Sequence, residues 1–183
     1  KDQSIQEAVS RYYSTMVQSG KIRFVATSDV TGGAKRLAYV ANTFNLKGPC
    51  FVCGIEVLYP STELRKFITS FAATHGAAIA VMTSPDLQIA PRHSRLRIEK
   101  GVVKQYASPA DAQDKAGSQW RSHLGNFLFS RRFLATVRTA KLEERGVIQC
   151  CTLALRRNET VRAFVLKSSW IHFGLPSDFS RKL

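Results

Sequence analysis

The stretch that decides the predicted fold covers residues 120–159 and reads WRSHLGNFLFSRRFLATVRTAKLEERGVIQCCTLALRRNE. A weak polar strand is expected at residues 119–124. A helix follows, because apolar side chains recur at spacings of three and four residues and therefore share one face: Phe129, Phe133, Leu134, Val137 and Ala140. We expect this helix to end at Gly146 and a strong strand to cover residues 147–156. This order is typical of half of a small α/β domain.

Basic side chains are arranged along the same stretch. On the predicted helix Arg131, Arg138 and Arg145 are seven residues apart, so they form one stripe. Arginine binds phosphate through two parallel hydrogen bonds, which favours a polyphosphate partner, although a solvated basic face is the simpler alternative. The predicted RNA-binding residues are Arg92, Arg95, Arg97, Lys100, Arg121, Arg131, Arg132, Arg138, Lys141, Arg145, Arg156, Arg157 and Arg162.

The charge of the whole chain favours the same interpretation. Its 183 residues include 27 Lys and Arg against 13 Asp and Glu, for a net charge of +14. Residues 119–183 contain 12 basic and 4 acidic groups, whereas residues 49–118 contain 8 and 6. A localised positive charge predicts a polyanionic partner. We expect no membrane association, because no apolar run approaches the roughly 20 residues of a spanning helix.

The pattern along the chain predicts an α/β (α+β) fold of two small sheet-plus-helix modules. Residues 1–48 are predicted to be an N-terminal extension, made of a helix over residues 3–18 and a hairpin of strands at 21–27 and 36–44. The other predicted units are an N-terminal α/β module at 49–100, a linker at 101–118 that is rich in small and charged residues, and a C-terminal basic RNA-binding module at 119–183.

The N-terminal module is predicted to have the order strand, helix, strand, strand. Ser61 is expected to be the N-cap of its helix, and Gly76 to follow the end of that helix. The predicted elements are a strand at 50–59, a helix at 61–74, a short buried strand at 77–83 and a strand at 89–98.

The sequence offers little for catalysis or metal binding. Cys50 and Cys53 have zinc-like spacing, but Cys150 and Cys151 would point to opposite faces of a strand and could not easily complete one site. The acidic residues are scattered, and no nucleophile motif is present. We therefore expect no enzyme activity, no metal, no cofactor and no small-molecule substrate.

Short motifs in both predicted modules resemble those of the translation initiation factor 3 family. The family's N-terminal domain has a V-x-x-x-P segment, a further proline and an R-I strand, and its C-terminal domain has a basic helix ending in glycine and a strand closing on an R-x-R-E-like sequence. The matching residues are 81–85 (VMTSP), Pro91, 97–98 (RI), 120–121 (WR), 145–146 (RG) and 156–159 (RRNE). The similarity covers about residues 50–159.

This resemblance implies a translation initiation factor that binds ribosomal RNA on the small ribosomal subunit, prevents premature subunit joining and assists start selection with the initiator tRNA. The last 24 residues are too few for the rest of the family's C-terminal domain, and residues 1–48 have no counterpart. These departures suit an organellar version in the mitochondrial matrix. The alternatives are a structural mitochondrial ribosomal protein or small-subunit assembly factor, and a protein that binds single-stranded or guide RNA.

Overall fold

The computed structural model describes residues 2–54, 57–73, 76–84, 94–108, 111, 119–143, 146–167 and 171–172. The helices in these ranges are α1 (Asp2–Tyr12), α2 (Ser14–Gln18), α3 (Gly33–Thr43), α4 (Ser61–Ala73), α5 (Arg131–Thr139) and α6 (Gln149–Arg156). The strands are β1 (Cys50–Val52), β2 (Val57–Leu58), β3 (Ile79–Ser84), β4 (Arg95–Glu99), β5 (Val102–Ala107), β6 (Trp120–Phe129), β7 (Val161–Val165) and β8 (Ile171–His172). No helix in these ranges is both long and apolar enough to cross a bilayer.

Six strands form one mixed sheet in the order β1-β6-β3-β7-β5-β4, and β6 also pairs with β4. Strands β3 and β7 are parallel, with Ile79 opposite Val161. Strand β6 is antiparallel to both β1 and β3, because Phe129 lies opposite Cys50 on one side and Ile79 on the other. Strands β1, β3 and β7 therefore point in the same direction. Strands β2 and β8 form a separate two-stranded sheet.

Helices cover both faces of the six-stranded sheet, so the fold has three layers. On one face α3, α5 and α6 bury side chains such as Leu37, Phe133 and Ala154 against the strands. On the other face Phe67 of α4 is fully buried beside Phe164 of β7. This arrangement gives every strand side chain near the middle of the sheet an apolar layer to pack against.

Several predicted elements are confirmed. The predicted helix at 3–18 is present as two helices, α1 and α2, with the non-helical Tyr13 between them; residues 61–73 form α4, and β3 is a strand whose six residues are all buried. Ser61 is the first residue of α4 and not its N-cap. The helix of the opening stretch is present as α5, and Ser130 caps it by accepting a hydrogen bond from the Phe133 backbone N–H at 3.2 Å.

Two predicted strands are helices. Residues 36–44 belong largely to α3, where the buried residues Ala34, Leu37 and Ala41 recur at three and four residues. Residues 147–156 belong largely to α6, and their apolar run packs as one helical face, with Cys150, Cys151 and Ala154 buried. The predicted strand at 21–27 is wrong as well, since this segment has no regular secondary structure.

The mixed α and β composition is confirmed, but the two-module arrangement is not. Strands from both predicted modules lie in the same six-stranded sheet, and β5 lies inside the predicted linker. Helix α5 ends at Thr139, before the expected stop at Gly146, because Ala140 takes an extended conformation. The predicted strand at 89–98 is present as β4, and residues 89–93 lie outside the described ranges. The boundaries of the four predicted units stay predictions.

Candidate functional site

The candidate site lies beside the carboxyl end of β1, at one edge of the six-stranded sheet. Because β1, β3 and β7 run in the same direction, their carboxyl ends share this edge. Open α/β sheets bind ligands outside the carboxyl ends of their strands. A cavity of about 1100 Å³ opens here beside the residues that follow β1, Cys53 and Gly54.

A bulge in β6 shapes the floor of this cavity. The pairing of β6 with β3 shifts between Val81 and Thr83, and Gly125 has a φ of 72°, which glycine adopts without steric cost. The Gly54 backbone N–H donates a hydrogen bond to the Gly125 carbonyl oxygen at 3.2 Å. Neither glycine has a heavy atom within 4 Å of the position that a Cβ would occupy. The floor is therefore bare backbone that a ligand can approach closely.

His123 lies on the same wall as this bulge, next to Phe127, with their ring centroids 5.8 Å apart. Its Nδ1 accepts a hydrogen bond from the Gly125 backbone N–H at 3.2 Å. In the neutral imidazole the proton is then on Nε2, so that atom is a donor. The bulge therefore positions the Gly125 backbone N–H, and the hydrogen bond from this group sets the tautomer of the neutral His123 side chain.

Helix α6 forms the facing wall. Its cavity-lining residues Gln149, Thr152, Leu153 and Arg156 have the spacing i, i+3, i+4 and i+7, which places them on one face. The loop before α6 is tied to this face, because the Glu143 backbone N–H donates to Gln149 Oε1 at 3.1 Å. The opposite face of α6 is the apolar face that fills the core.

The third wall comes from the end of β5. Tyr106 and Ser94 share a hydrogen bond between their hydroxyl oxygens, which lie 3.1 Å apart. Ser108 donates from its hydroxyl to Asp111 Oδ2 at 2.6 Å, and the Asp111 backbone N–H donates back to Ser108 Oγ. These four polar side chains line the cavity and keep fixed orientations, which suits a ligand with many hydroxyl groups.

Charges of both signs line the cavity. Lys141 and Arg156 are its basic residues, and Asp111 and Glu143 are its acidic ones. Arg156 has no hydrogen-bond or ion-pair partner among the residues that the structure describes, and its side chain lines the cavity, where it can contact an anionic ligand. A phosphate group could form an ion pair with Arg156, and hydroxyl groups could donate hydrogen bonds to the Asp111 carboxylate.

Within the described part of the chain the four cysteines form no metal site. Burial raises the pKa of Cys150 to about 12 and that of Cys151 well above its usual value, so both thiols stay neutral. Cys53 is exposed at the cavity, and Cys50 is half-buried in β1. Among the described residues, no group of three or more His, Cys, Asp or Glu is placed to hold a metal ion.

The structure does not bring the predicted RNA-binding residues together. Of the predicted residues that lie in the described ranges, Lys141 and Arg156 line the cavity and the others do not. Arg132 and Arg157 both pair with Glu159, at 2.8 and 3.5 Å, in the region where β7 begins. Arg92 and Arg145 lie outside the described ranges.

The other predicted RNA-binding residues are scattered over the fold. Arg97 pairs with Glu99 at 2.7 Å within β4, and Arg121 donates to the Trp120 carbonyl oxygen. Arg95 is buried in β4, whereas Lys100, Arg131 and Arg162 are exposed in a turn, at the start of α5 and on β7. Whether any of these residues binds RNA stays a prediction.

Arg138 has a structural role that the sequence did not indicate. Its Nε donates to Asn42 Oδ1 at 2.8 Å, and Asn42 Nδ2 donates back to the Arg138 carbonyl oxygen at 3.2 Å. Its other nitrogens contact Asn45 Oδ1 and the Leu46 carbonyl oxygen, both at 3.4 Å. Arg138 therefore joins α5 to the end of α3.

Replacing Arg138 by alanine should lower the free energy of unfolding by about 1–2 kcal/mol, because it removes charge-assisted hydrogen bonds between two helices. Urea unfolding followed by circular dichroism measures this change. Arg131→Ala is the matched control, since Arg131 is exposed on the same helix, and it should change the value by less than about 0.5 kcal/mol. Equal values for the two variants would contradict the assigned role.

Solved structures of nucleotidyltransferases share this fold. The inositol-1-phosphate CTP transferase from T. maritima is 13% identical, over 81% of this chain and 58% of its own, with a TM-score of 0.63. UDP-glucose pyrophosphorylase complexed with UDP-glucose is 16% identical, over 86% of this chain and 62% of its own, with a TM-score of 0.67. This chain shares the fold of these enzymes. A putative glucose-1-phosphate thymidylyltransferase from Bacillus anthracis has the same fold. It is 14% identical, over 84% of this chain and 61% of its own, with a TM-score of 0.66.

The chain spans about six tenths of the length of these three enzymes. No protein-family model matches its sequence, and no curated protein sequence matches it. At identities of 13–16% the likeness establishes the fold, while substrate and activity are inferred from the site.

The nucleotidyltransferase fold overturns the resemblance to translation initiation factor 3. The matching motifs were short, and α6 occupies the segment that the family would need as a strand. The predicted initiation function, the ribosomal partners and the two RNA-binding alternatives have no support from proteins of this fold. The expectations of no enzyme and no small-molecule substrate are also wrong, because the solved proteins that share the fold are enzymes acting on small molecules.

The residues of the cavity that the sequence analysis missed include Gly54, Ser94, Tyr106, Ser108, Asp111, His123, Gly125, Glu143, Gln149 and Thr152. One signal was available. Gly125 interrupts a strand that is otherwise built of larger apolar and polar residues. An isolated glycine in a strand indicates a bulge or a close backbone approach. The remaining residues come from separate elements and share no motif.

Proposed function

We propose that this chain is part of a nucleotidyltransferase that acts on a phosphorylated sugar or polyol, and that the cavity holds the sugar-bearing part of the ligand. The observation that supports this most is the place of the cavity, beside the carboxyl end of β1 in a fold that is shared with nucleotidyltransferases. Its volume of about 1100 Å³ suits a nucleotide sugar.

In the proposed reaction, a phosphate oxygen of the sugar phosphate attacks the α-phosphorus of a nucleoside triphosphate. A new phosphorus–oxygen bond forms, and the bond to the departing diphosphate breaks. Catalysis of this kind depends on positioning and on the neutralisation of charge. Lys141 and Arg156 supply positive charge, and Asp111, Gln149 and Thr152 supply hydrogen-bonding groups for hydroxyls.

A divalent cation held by carboxylates commonly assists transfer from a nucleoside triphosphate. The acidic residues that line the cavity are Asp111 and Glu143, and Asp111 already accepts the Ser108 hydroxyl. The residues that the structure describes do not fit a metal ion, and we assign no step to one. The mitochondrial location stays a prediction from the sequence.

The proposal predicts that Arg156→Ala weakens binding of UDP-glucose at least about tenfold, because one charge-assisted contact to a phosphate is lost. Isothermal titration of the chain with UDP-glucose measures the dissociation constant. Arg162→Ala is the control, since Arg162 is exposed on β7 and does not line the cavity.

Two further titrations separate the parts of the ligand. Glucose 1-phosphate should compete with UDP-glucose, whereas glucose alone should bind weakly because it brings no charge to Arg156. Failure of UDP-glucose, inositol 1-phosphate and glucose 1-phosphate to bind at millimolar concentration would contradict a sugar-phosphate site. An equal effect of Arg156→Ala and Arg162→Ala would show that the phosphate of the ligand does not bind at Arg156.

A further inference from the structure

The charged side chains of the cavity are balanced, although the chain as a whole is strongly basic. Lys and Arg outnumber Asp and Glu by 27 to 13 in the sequence. Among the described residues that line the cavity, two are basic and two are acidic. A site for a purely anionic ligand would be expected to share the excess of positive charge, because carboxylates repel phosphate groups. The balance indicates a ligand that carries charges of both signs.

Asp111 is an acidic residue of the cavity whose orientation the structure fixes. Its Oδ2 accepts a hydrogen bond from the Ser108 hydroxyl at 2.6 Å, and its backbone N–H donates to Ser108 Oγ at 3.3 Å. Within the described parts of the chain, no Lys, Arg or His forms an ion pair with its carboxylate, and Oδ1 accepts no hydrogen bond. Asp111 therefore presents an oxygen to the cavity that a cationic group of a ligand can bind.

Arg156 supplies the opposite charge from another wall of the same cavity. It lies at the end of the cavity-lining face of α6, whereas Asp111 comes after the end of β5. These two described residues do not form an ion pair with each other. Opposite charges that line one cavity without pairing can be satisfied together by a ligand that lies between them and carries both an anionic and a cationic group.

The neighbours of Asp111 indicate which part of the ligand carries the positive charge. The hydroxyl groups of Ser94, Tyr106 and Ser108 line the same wall as Asp111 and suit the hydroxyl groups of a sugar. A primary ammonium has three N–H donors, so it can bind a carboxylate and a hydroxyl oxygen at once. A quaternary ammonium has no N–H to donate. The wall therefore favours a primary ammonium that is carried on a sugar.

We infer that the ligand of this cavity is a phosphorylated amino sugar, an assignment that rests on the proposed function and narrows its substrate class. The ammonium of the sugar binds the Asp111 carboxylate, and the phosphate binds Arg156. Hydrogen bonds between two charged groups are stronger than those between a charged and a neutral group. Asp111 therefore selects an amino sugar over a sugar that has a hydroxyl at the same position.

Isothermal titration of the whole chain with glucosamine 1-phosphate and with glucose 1-phosphate tests this selectivity near neutral pH. The two ligands differ at one position, where an ammonium replaces a hydroxyl. The wild-type chain should bind glucosamine 1-phosphate at least about tenfold more tightly, because the ammonium adds a charge-assisted hydrogen bond. Asp111→Asn keeps the shape of the side chain and an oxygen that can accept the Ser108 hydroxyl, but it removes the charge. In this variant the preference should fall below about twofold, since both ligands then meet a neutral amide.

Asp29→Asn is the matched control, because Asp29 is exposed and does not line the cavity, and it should keep the full preference. Failure of both sugar phosphates to bind at millimolar concentration would overturn the proposed function and the amino-sugar assignment together. Equal binding of the two ligands to the wild-type chain would overturn the amino-sugar assignment and leave the sugar-phosphate site in place. A preference that persists in Asp111→Asn would show that another residue binds the ammonium and would overturn the role of Asp111.

Discussion

Replacing Phe67 by alanine should lower the free energy of unfolding by about 3–5 kcal/mol. Phe67 is fully buried in α4, and its ring contacts those of Phe51 and Phe164, with centroids 6.3 and 5.5 Å apart. The substitution removes the apolar area that joins α4 to β1 and β7 and leaves a cavity that the rigid sheet cannot fill. Chemical denaturation followed by far-ultraviolet circular dichroism measures the loss.

Ile68→Ala is the control for this prediction, because the two residues are neighbours in the same helix. Ile68 is 43% exposed, so its truncation should cost less than about 1 kcal/mol. If the two variants were equally destabilised, α4 would not pack on the sheet through Phe67. If Phe67→Ala did not express as a folded chain, Phe67→Leu should show a smaller loss in the same direction.

The elements that the sequence predicted correctly are those whose burial pattern is simple. Helix α4 has one apolar stripe, and β3 is short, apolar and buried on both faces. In both cases local periodicity and tertiary burial agree, so the sequence suffices. The N-terminal helices were predicted from local periodicity alone, because Ile5, Tyr12 and Met16 are exposed.

Helices α3 and α6 show where local patterns fail. Residues 147–156 form an apolar run that is as consistent with a buried strand as with a helix. The structure resolves this ambiguity through the polar residues, because Gln149, Thr152 and Arg156 fall on one helical face and line the cavity. The polar face of α6 can be recognised as part of the site only from the tertiary structure, in which α6 lies between the cavity and the core.

The site itself could not be predicted from one sequence. Its walls come from the ends of β1 and β5, the bulge in β6 and the exposed face of α6, which are distant along the chain. Composition indicated an anionic partner, but charge alone does not separate a nucleic acid from a small phosphorylated ligand. The arginines illustrate this, since Arg138 joins two helices and Arg132 pairs with Glu159, while Arg156 faces the cavity.

Gly54→Ala should weaken the binding of UDP-glucose by about 10- to 100-fold if the cavity holds this ligand, because forcing an extra methyl group into a closely fitted space costs about 1–3 kcal/mol. Gly54 lies on the cavity floor, and a Cβ there would meet no protein atom within 4 Å. Its φ lies outside the left-handed region, so alanine introduces no backbone strain. The added methyl group would occupy space that the ligand needs while the fold stays intact. Isothermal titration measures the dissociation constant.

Gly48→Ala is the matched control for this substitution. Gly48 also has no heavy atom within 4 Å of the position that a Cβ would occupy, and its φ lies outside the left-handed region. It does not line the cavity. It should leave both binding and stability unchanged. Normal binding by Gly54→Ala would place the ligand away from the β6 bulge, and a loss of stability in Gly54→Ala would show that this glycine supports the fold. Weaker binding with unchanged stability is the outcome that assigns the floor of the cavity to the ligand.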